Sequence, residues 1–321
     1  MADPRWGIVA TIKAPAREIL TFVAHHLSLG ADRIYIYLDN PNEEAELLLA
    51  SHPLVDVTRT DQPYWKDLNG KRPPKHQLRQ TRNATHAYHR AADLDWLIHI
   101  DVDEFLSPDT AVTSSLAGLP SDAQAARVRP AEVLSTDGVR GLENHITYCK
   151  AWMPPRGNRL ELSKEIYPTY GQYIRGGFLS HIAGKLFVRT GIPDLEFRIH
   201  NAYVDETELP ANTDMTDICL CHFHATKWGK WQRSFEYRLE KGSYRSEMRP
   251  AVSRDDGGLS LHELFNMIHD HEGEQGLRNF FTEVCVATDD LRRKLSEHGL
   301  LREFRLHFSQ SLKKHFPQYT G

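Results

Sequence analysis

The fold is decided by residues 93–106, which read DLDWLIHIDVDEFL. The short apolar run Trp96–Ile100 predicts a buried strand, and it ends abruptly at Asp101 and Asp103. On an extended backbone, residues two apart project to the same side, so these two carboxylates would face one site. Paired hard oxygens at the carboxyl end of an interior strand suit Mg(II) or Mn(II), which often also bind a substrate diphosphate. The alternative is an acidic turn that merely closes a strand.

Strand and helix patterns alternate around this stretch. Strands are predicted at 8–12, 33–38 and 54–58, and helices at 18–29, 43–50 and 75–92. This alternation favours an α/β fold with a Rossmann-like, mostly parallel central sheet and helices on both faces. Ligands of such sheets bind beyond the carboxyl ends of the strands, where Lys13, Asp39 and Asp101 fall.

The pattern loosens from about residue 111. Residues 140–180 are rich in Gly, Pro and Tyr, and they predict long loops suited to an acceptor-facing surface. Two further strands are predicted at 184–190 and 217–225, before a helical C-terminal region. We expect a catalytic domain at residues 1–226 and a helical region at 227–321 packed on it.

Composition narrows the functional classes. The chain of 321 residues is 40% hydrophobic and 26% charged, as in ordinary globular proteins. A net charge of −4 argues against binding to a nucleic-acid backbone. Four cysteines are too few for a disulfide framework, and no signal peptide or membrane-spanning run is evident. We expect a cytoplasmic protein, with peripheral contact at the inner membrane left open.

Four blocks of sequence, in this order, resemble bacterial members of glycosyltransferase family 2 and the related family 92. The blocks are Ala24–Tyr37, Asp101–Phe105, Gly184–Arg189 with Ile199–Asn201, and Cys221–Ala225 with Trp228 and Arg238–Gly242. The resemblance implies a GT-A fold with an Asp-x-Asp motif that binds a nucleotide sugar. It also implies inversion of configuration at the anomeric carbon. The chain departs from the family pattern at residues 13–16 and 39–42, both near the expected nucleotide pocket.

Metal ligands are predicted at Asp101, Asp103 and His222, with Mn(II) or Mg(II) as the ion. On a strand, His222 and His224 would share one face, with Cys219 and Cys221 on the other. That alternation weakens the competing Cys-x-Cys-His zinc site, because thiols and imidazoles would point apart. Two structural histidines remain the alternative. In GT-A enzymes a late histidine often completes the metal shell, and we choose His222 over His224.

Nucleotide-sugar contacts are predicted at six residues, which are Lys13, Asp39, Arg82, Asp101, Lys185 and His200. The resemblance implies that Asp39 accepts a hydrogen bond from the base, and Lys13 ends the first strand beside it. Arg82 shares a basic helix face with Lys75 and Arg79, although such a face is usually only solvated. Lys185 could stabilise charge on the departing diphosphate. His200 could do likewise or anchor a loop.

The catalytic base is predicted to be Glu132, which closes the run from Ala126 to Ala131 on the expected next strand. A carboxylate on the acceptor side would take the hydroxyl proton during displacement. Asp137 and Asp205 lie in comparable regions, and a plain surface acid is the competing interpretation for Glu132.

The sequence therefore predicts a metal-dependent inverting glycosyltransferase of polysaccharide biosynthesis. It would move a hexose from a nucleoside diphosphate sugar, most simply a UDP-sugar, to a glycan or lipid-linked acceptor. A nucleotidyltransferase is the nearest rival, but it would usually carry a Gly-rich loop that residues 7–20 lack. A non-catalytic carbohydrate-binding protein of the same fold is the rival from another class. The oligomeric state is not indicated.

Overall fold

The computed structural model describes residues 3–143, 145–153, 159–174, 176–211 and 213–321. The elements in chain order are β1 (Trp6–Ile12), α1 (Ala16–Ser28), β2 (Arg33–Leu38), α2 (Glu43–Ala50), β3 (Val55–Arg59), α3 (Gln62–Asn69), α4 (His76–Arg90), β4 (Trp96–His99), β5 (Glu104–Pro108), α5 (Val112–Ala117), β6 (Ala125–Val133), β7 (Thr147–Ala151), α6 (Arg159–Ile166), β8 (Lys185–Arg189), β9 (Glu196–Phe197), β10 (Ala202–Val204), β11 (Thr207–Glu208), β12 (Thr213–His222), α7 (Trp228–Glu240), a 3-10 turn (Arg254–Asp256), α8 (Leu261–Cys285), α9 (Asp289–Glu297), β13 (Leu301–Phe304) and α10 (Phe308–His315). Helix α8 is interrupted at Gly273, whose φ is 61°.

The chain divides into two compact units, each made of separate stretches. The first unit contains Met1–Arg129, Ala183–Leu220 and Leu306–Gly321. The second contains Pro130–Ile182 and Cys221–Arg305. The predicted domains, 1–226 and 227–321, are each continuous in sequence, and that division stays a prediction.

The sheet of the first unit has the strand order β6–β8–β4–β1–β2–β3. β1 pairs in parallel with β2 and β4, and β2 pairs in parallel with β3. β8 is antiparallel to both of its neighbours, β4 and β6, so it runs against the other five strands. The predicted α/β class with a mostly parallel sheet is confirmed.

The parallel strands are apolar because they are covered on both sides. All seven residues of β1 are buried, as expected for a strand inside a layered α/β fold. On one face, Ala84 and Tyr88 of α4 share a core cluster with Val9 and Leu97. This packing fixes α4 against β1 and β4.

The acidic stretch is a turn rather than a continued strand. β4 ends at His99 and β5 begins at Glu104, whose N–H donates to the carbonyl of Asp101 at 3.0 Å. β5 then pairs with β12 and not with β4, so the chain must change direction here. The extended backbone assumed for Asp101 and Asp103 is therefore wrong, although their place at the end of β4 is as predicted.

Residues 306–321 return to the first unit. The ring nitrogens of His25 on α1 lie 2.8 Å from the carbonyl oxygen of Leu106 and 3.3 Å from that of Leu306. The ring of Phe308 lies 5.4 Å from His25 and 4.6 Å from Phe105, measured between centroids. The predicted helical region 227–321 is thus interrupted by strand β13, and its last helix belongs with α1.

The second unit has its own aromatic core. Trp231 and Phe235 of α7 pack with Phe265, Phe280 and Phe281 of α8, and all five are buried. β7 lies between the end of β6 and β13, antiparallel to both. The apolar residues of α7 therefore form a packing surface within this unit.

A search of the described part of the chain for a helix with the length and apolarity of a membrane span finds none.

Candidate active site

The turn after β4 presents Asp101 to a buried lysine. Lys185, the first residue of β8, is fully buried, and its Nζ lies 2.7 Å from Oδ2 of Asp101 and 3.2 Å from Oε2 of Glu104. Oε2 of Glu104 also accepts the N–H of Asp101 at 2.9 Å. One ammonium group therefore joins two carboxylates and closes the turn.

The other carboxylate oxygen of Asp101 accepts a hydrogen bond from helix α4. Nε2 of Gln80, on α4, donates to Oδ1 of Asp101. The Asp101 side chain keeps 32% of its surface exposed. Burial raises the pKa of Asp101, but the charge of Lys185 outweighs burial and holds that pKa below its usual range. The charges of Asp101 and Glu104 raise the pKa of Lys185 against the effect of burial, so Asp101 and Lys185 are both ionised at neutral pH.

His99 lies beneath this turn as a neutral side chain. Burial, and then the charge of Lys185, lower its pKa to about 4. Its Nδ1 faces the carbonyl oxygen of Arg198 at 3.3 Å, so Nδ1 carries the proton. Within the described residues, its Nε2 has no hydrogen-bond partner.

Asp39, at the carboxyl end of β2, holds a basic cluster. Arg79 donates to both carboxylate oxygens at 2.8–3.1 Å, and Arg72 donates to Oδ1 at 2.9 Å. His76 Nδ1 lies 3.3 Å from Oδ2. Burial raises the pKa of Asp39, but these hydrogen bonds overcome burial and lower it. The side chain is 1% exposed, so a contact with a base would require these partners to move.

Lys13 and Arg82 are the exposed cations of the predicted pocket. Lys13 follows β1 directly, and Arg82 lies on α4 two residues beyond Gln80. Between them, the Asn83 amide donates to Thr11 Oγ1 at 3.0 Å, which ties α4 to the end of β1. Both predicted residues therefore lie at the carboxyl edge of the parallel sheet.

His200 lies in the loop between β9 and β10. Arg127 donates to the carbonyl of His200 at 3.0 Å and to Oδ1 of Asn201 at 2.9 Å. Nδ1 of His200 lies 2.9 Å from the carbonyl oxygen of Gly184, next to Lys185. His200 is close enough to Asp101 to lower its pKa, after the larger effects of Lys185 and His99.

Glu132 lies in the second unit as a buried anchor. Its carboxylate accepts the N–H of Leu179 at 2.9 Å and that of Ser180 at 2.6 Å, and it pairs with Lys150 at 3.2 Å. Lys150 also donates to the carbonyl of Gly177. Burial raises the pKa of Glu132, but Lys150 outweighs burial and lowers it. The Glu132 side chain is only 3% exposed and its pKa is lowered. It is therefore better suited to holding residues 177–180 in place than to accepting a proton. The assignment of Glu132 as base stays a prediction.

His222 and His224 also belong to the second unit. The hydroxyl of Tyr244 accepts from Trp231 at 3.1 Å and from Arg238 at 3.3 Å. It therefore donates its own proton to Nε2 of His224 at 2.9 Å. Nε2 of His224 is therefore occupied, and the choice of His222 as the metal ligand stays a prediction.

A divalent cation fits this site only with outside ligands. Within the described ranges, no three His, Cys, Asp or Glu side chains stand together as a ready metal site. The carboxylates of the turn are the hard oxygen donors that Mg(II) and Mn(II) prefer. The residues present therefore fit an ion that takes its remaining ligands from a bound diphosphate and water.

Sequence reasoning missed several residues of this arrangement. Glu104 is absent from the predicted site residues, although its position beside Asp103 is a usable signal. Gln80 and Arg127 carry no local signal, because their partners lie 21 and 73 residues away.

Residues 9–124 match the model of glycosyltransferase family 92. The matched stretch runs from β1 to the residue before β6 and contains Asp39, Arg82, Asp101 and Asp103. No curated protein matches the chain significantly. The match supports an enzyme that transfers sugars. The protein is a glycosyltransferase, which implies a sugar donor and a glycan acceptor.

Proposed function

We propose that this glycosyltransferase moves a hexose from a UDP-sugar to a glycan or lipid-linked acceptor, with Mg(II) or Mn(II) bound and with inversion at the anomeric carbon. The GT-A version of the α/β fold is part of the proposal. The main support for this proposal is the Asp101–Asp103 turn, which Lys185 and Gln80 hold at the carboxyl end of β4. Ligands of open α/β sheets bind at this edge.

The donor side is assigned to residues at that edge. Asp101 and Asp103 would hold the cation, and His222 stays a predicted further ligand. When bound, the cation would neutralise charge on the diphosphate as it departs. Arg82 and Lys13 are exposed and could contact the diphosphate or nucleotide. Asp39 keeps Arg79 and Arg72 fixed beside them.

The reaction is a single displacement. The acceptor hydroxyl oxygen attacks the anomeric carbon while the bond from that carbon to the diphosphate oxygen breaks. The electron pair of that bond leaves with the nucleoside diphosphate, and a carboxylate takes the hydroxyl proton. Glu132 is the predicted carboxylate, subject to the test described in the Discussion.

Ligand-induced stabilisation tests this proposal. Thermal unfolding is measured with UDP, GDP, CDP and dTDP, each with and without Mn(II). A ligand that binds only the native state at a hundred times its dissociation constant adds about 2.7 kcal/mol to the free energy of unfolding. We expect UDP with Mn(II) to raise the melting temperature of the wild type and not that of Asp103→Ala. Asp109→Ala, which removes an exposed carboxylate beyond β5, is the matched control and should respond like the wild type.

Product analysis separates the rivals. We expect UDP release from the donor sugar and an acceptor product of inverted configuration. Release of pyrophosphate would instead identify a nucleotidyltransferase. Donor binding without any turnover would identify a carbohydrate-binding protein.

A further inference from the structure

Lys185 already occupies the carboxylate that the proposed cation would use. Its Nζ lies 2.7 Å from Oδ2 of Asp101, while Gln80 donates to Oδ1. Each oxygen of Asp101 thus accepts one protein donor, and one of these donors carries a full positive charge. A divalent cation on Asp101 would lie within a few ångströms of an ammonium group.

Lys185 cannot easily withdraw. Its side chain has no exposed surface, and Glu104 binds the same ammonium at 3.2 Å. The residue before it, Gly184, has φ of 72°, and a Cβ there would lie 2.1 Å from the carbonyl oxygen of Val128. The backbone entering β8 is therefore seated against β6, which fixes where the lysine side chain begins.

The charges around the Asp101 turn determine whether it can bind a cation without a diphosphate. Two buried or half-buried carboxylates, Asp101 and Glu104, share one ammonium, so most of their attraction for a second cation is already satisfied. A bound diphosphate changes this balance, because it brings negative charge and oxygen ligands to the same edge. The cation and the diphosphate should then bind cooperatively.

We propose that Lys185 keeps Asp101 from binding a divalent cation in the free enzyme, so that the cation binds only together with the diphosphate of the donor. This inference rests on the proposed function. Lys185 is in this respect a positioning residue, since its effect on the cation acts through Asp101. The arrangement prevents the cation from occupying the turn before the donor arrives.

Manganese binding measured by electron paramagnetic resonance tests the inference without any turnover. In the wild type, we expect Mn(II) to bind at least tenfold more tightly with saturating UDP than without nucleotide. By linkage, Mn(II) must strengthen UDP binding by the same factor, which a UDP titration checks independently. Equal Mn(II) affinity with and without UDP would overturn the inference, and this measurement needs no variant.

A substitution locates the effect. Lys185→Met should raise the Mn(II) affinity of the nucleotide-free enzyme at least tenfold and reduce the coupling to UDP. Lys150→Met removes the other fully buried lysine and should leave Mn(II) binding unchanged, which controls for loss of a buried charge as such. Unchanged Mn(II) binding in Lys185→Met would overturn this inference but not the proposed function. Failure of the wild type to bind UDP with Mn(II) would overturn the proposed function as well.

Discussion

Two fully buried lysines carry comparable structural tasks at the residue scale. Lys185 joins Asp101 to Glu104, and Lys150 joins Glu132 to the carbonyls of Gly177 and Val284. A buried ion pair adds little net stability, but removing one partner leaves an uncompensated charge. Both lysines therefore act by fixing the geometry of the acidic group beside them.

Glu132→Gln tests whether this residue is an anchor or the base. We expect the free energy of unfolding to fall by about 3–5 kcal/mol, because Lys150 is left buried without its carboxylate. Urea denaturation measures this change. The double variant Glu132→Gln/Lys150→Met should recover part of the loss, since no unpaired charge remains.

Activity per folded molecule separates the two roles of Glu132. An anchor predicts that kcat of folded Glu132→Gln falls less than tenfold. A loss of a hundredfold or more at unchanged stability would instead support the predicted base.

Helix α1 and strand β5 are joined at the element scale by histidines. Nδ1 of His26 lies 2.8 Å from the carbonyl of Phe22, and its Nε2 accepts the N–H of Leu106 at 3.2 Å. β5 directly follows the acidic turn, so the hydrogen bond between Leu106 and His26 helps to hold the turn in place. Burial, and then the neighbouring His25, lower the pKa of His26 well below its usual value.

Stability should therefore decrease on acidification. The unfolded state takes up a proton at His26 near pH 6.5, whereas the folded state binds it only at lower pH. Between these two values, the free energy of unfolding falls by about 1.4 kcal/mol per pH unit for each such histidine. The contribution is complete above pH 6.5 and is lost as the pH falls towards the folded pKa.

Urea denaturation at pH 7 and pH 5.5 measures this dependence. His26→Gln keeps an acceptor for Leu106 but cannot titrate, so its stability should change less between the two pH values than that of the wild type. An identical pH dependence in the variant would contradict the assignment.

The two units are the features of interest at the scale of the whole molecule. The first unit depends on residues 306–321, whose helix α10 packs on α1 and whose Phe308 contacts His25 and Phe105. The second unit contains α8 and its own aromatic core. Each unit should therefore respond separately when this segment is removed.

A chain ending at Arg305 tests this dependence. We expect amide hydrogen exchange in α1 and β5 to become at least tenfold faster, because α10 no longer covers them. Helix α8 is the internal control and should keep its protection. Unchanged protection in α1 would show that the segment is dispensable.

Local pattern was sufficient for some of this architecture. The apolar run before Asp101 correctly predicted β4, because burial on both faces requires such a run. The pairing of Asp101 with Lys185 was out of reach, since it joins residues 84 positions apart. Likewise, the sequence placed Asp39 at the end of β2 but gave no sign that Arg72 and Arg79 enclose it. The predicted helical region 227–321 gave no indication that its last helix joins the first unit.

The membership of residues 306–321 in the first unit has a consequence for biosynthesis. Helix α1 and strands β1 to β4 are translated within the first hundred residues, whereas the segment that packs on α1 follows much later. At about 5–20 residues per second, the delay is roughly 10–40 s. During that time the surface of α1 that α10 later covers has no partner from its own chain. The nascent enzyme should therefore be a client of ribosome-associated chaperones until residues 306–321 have been translated.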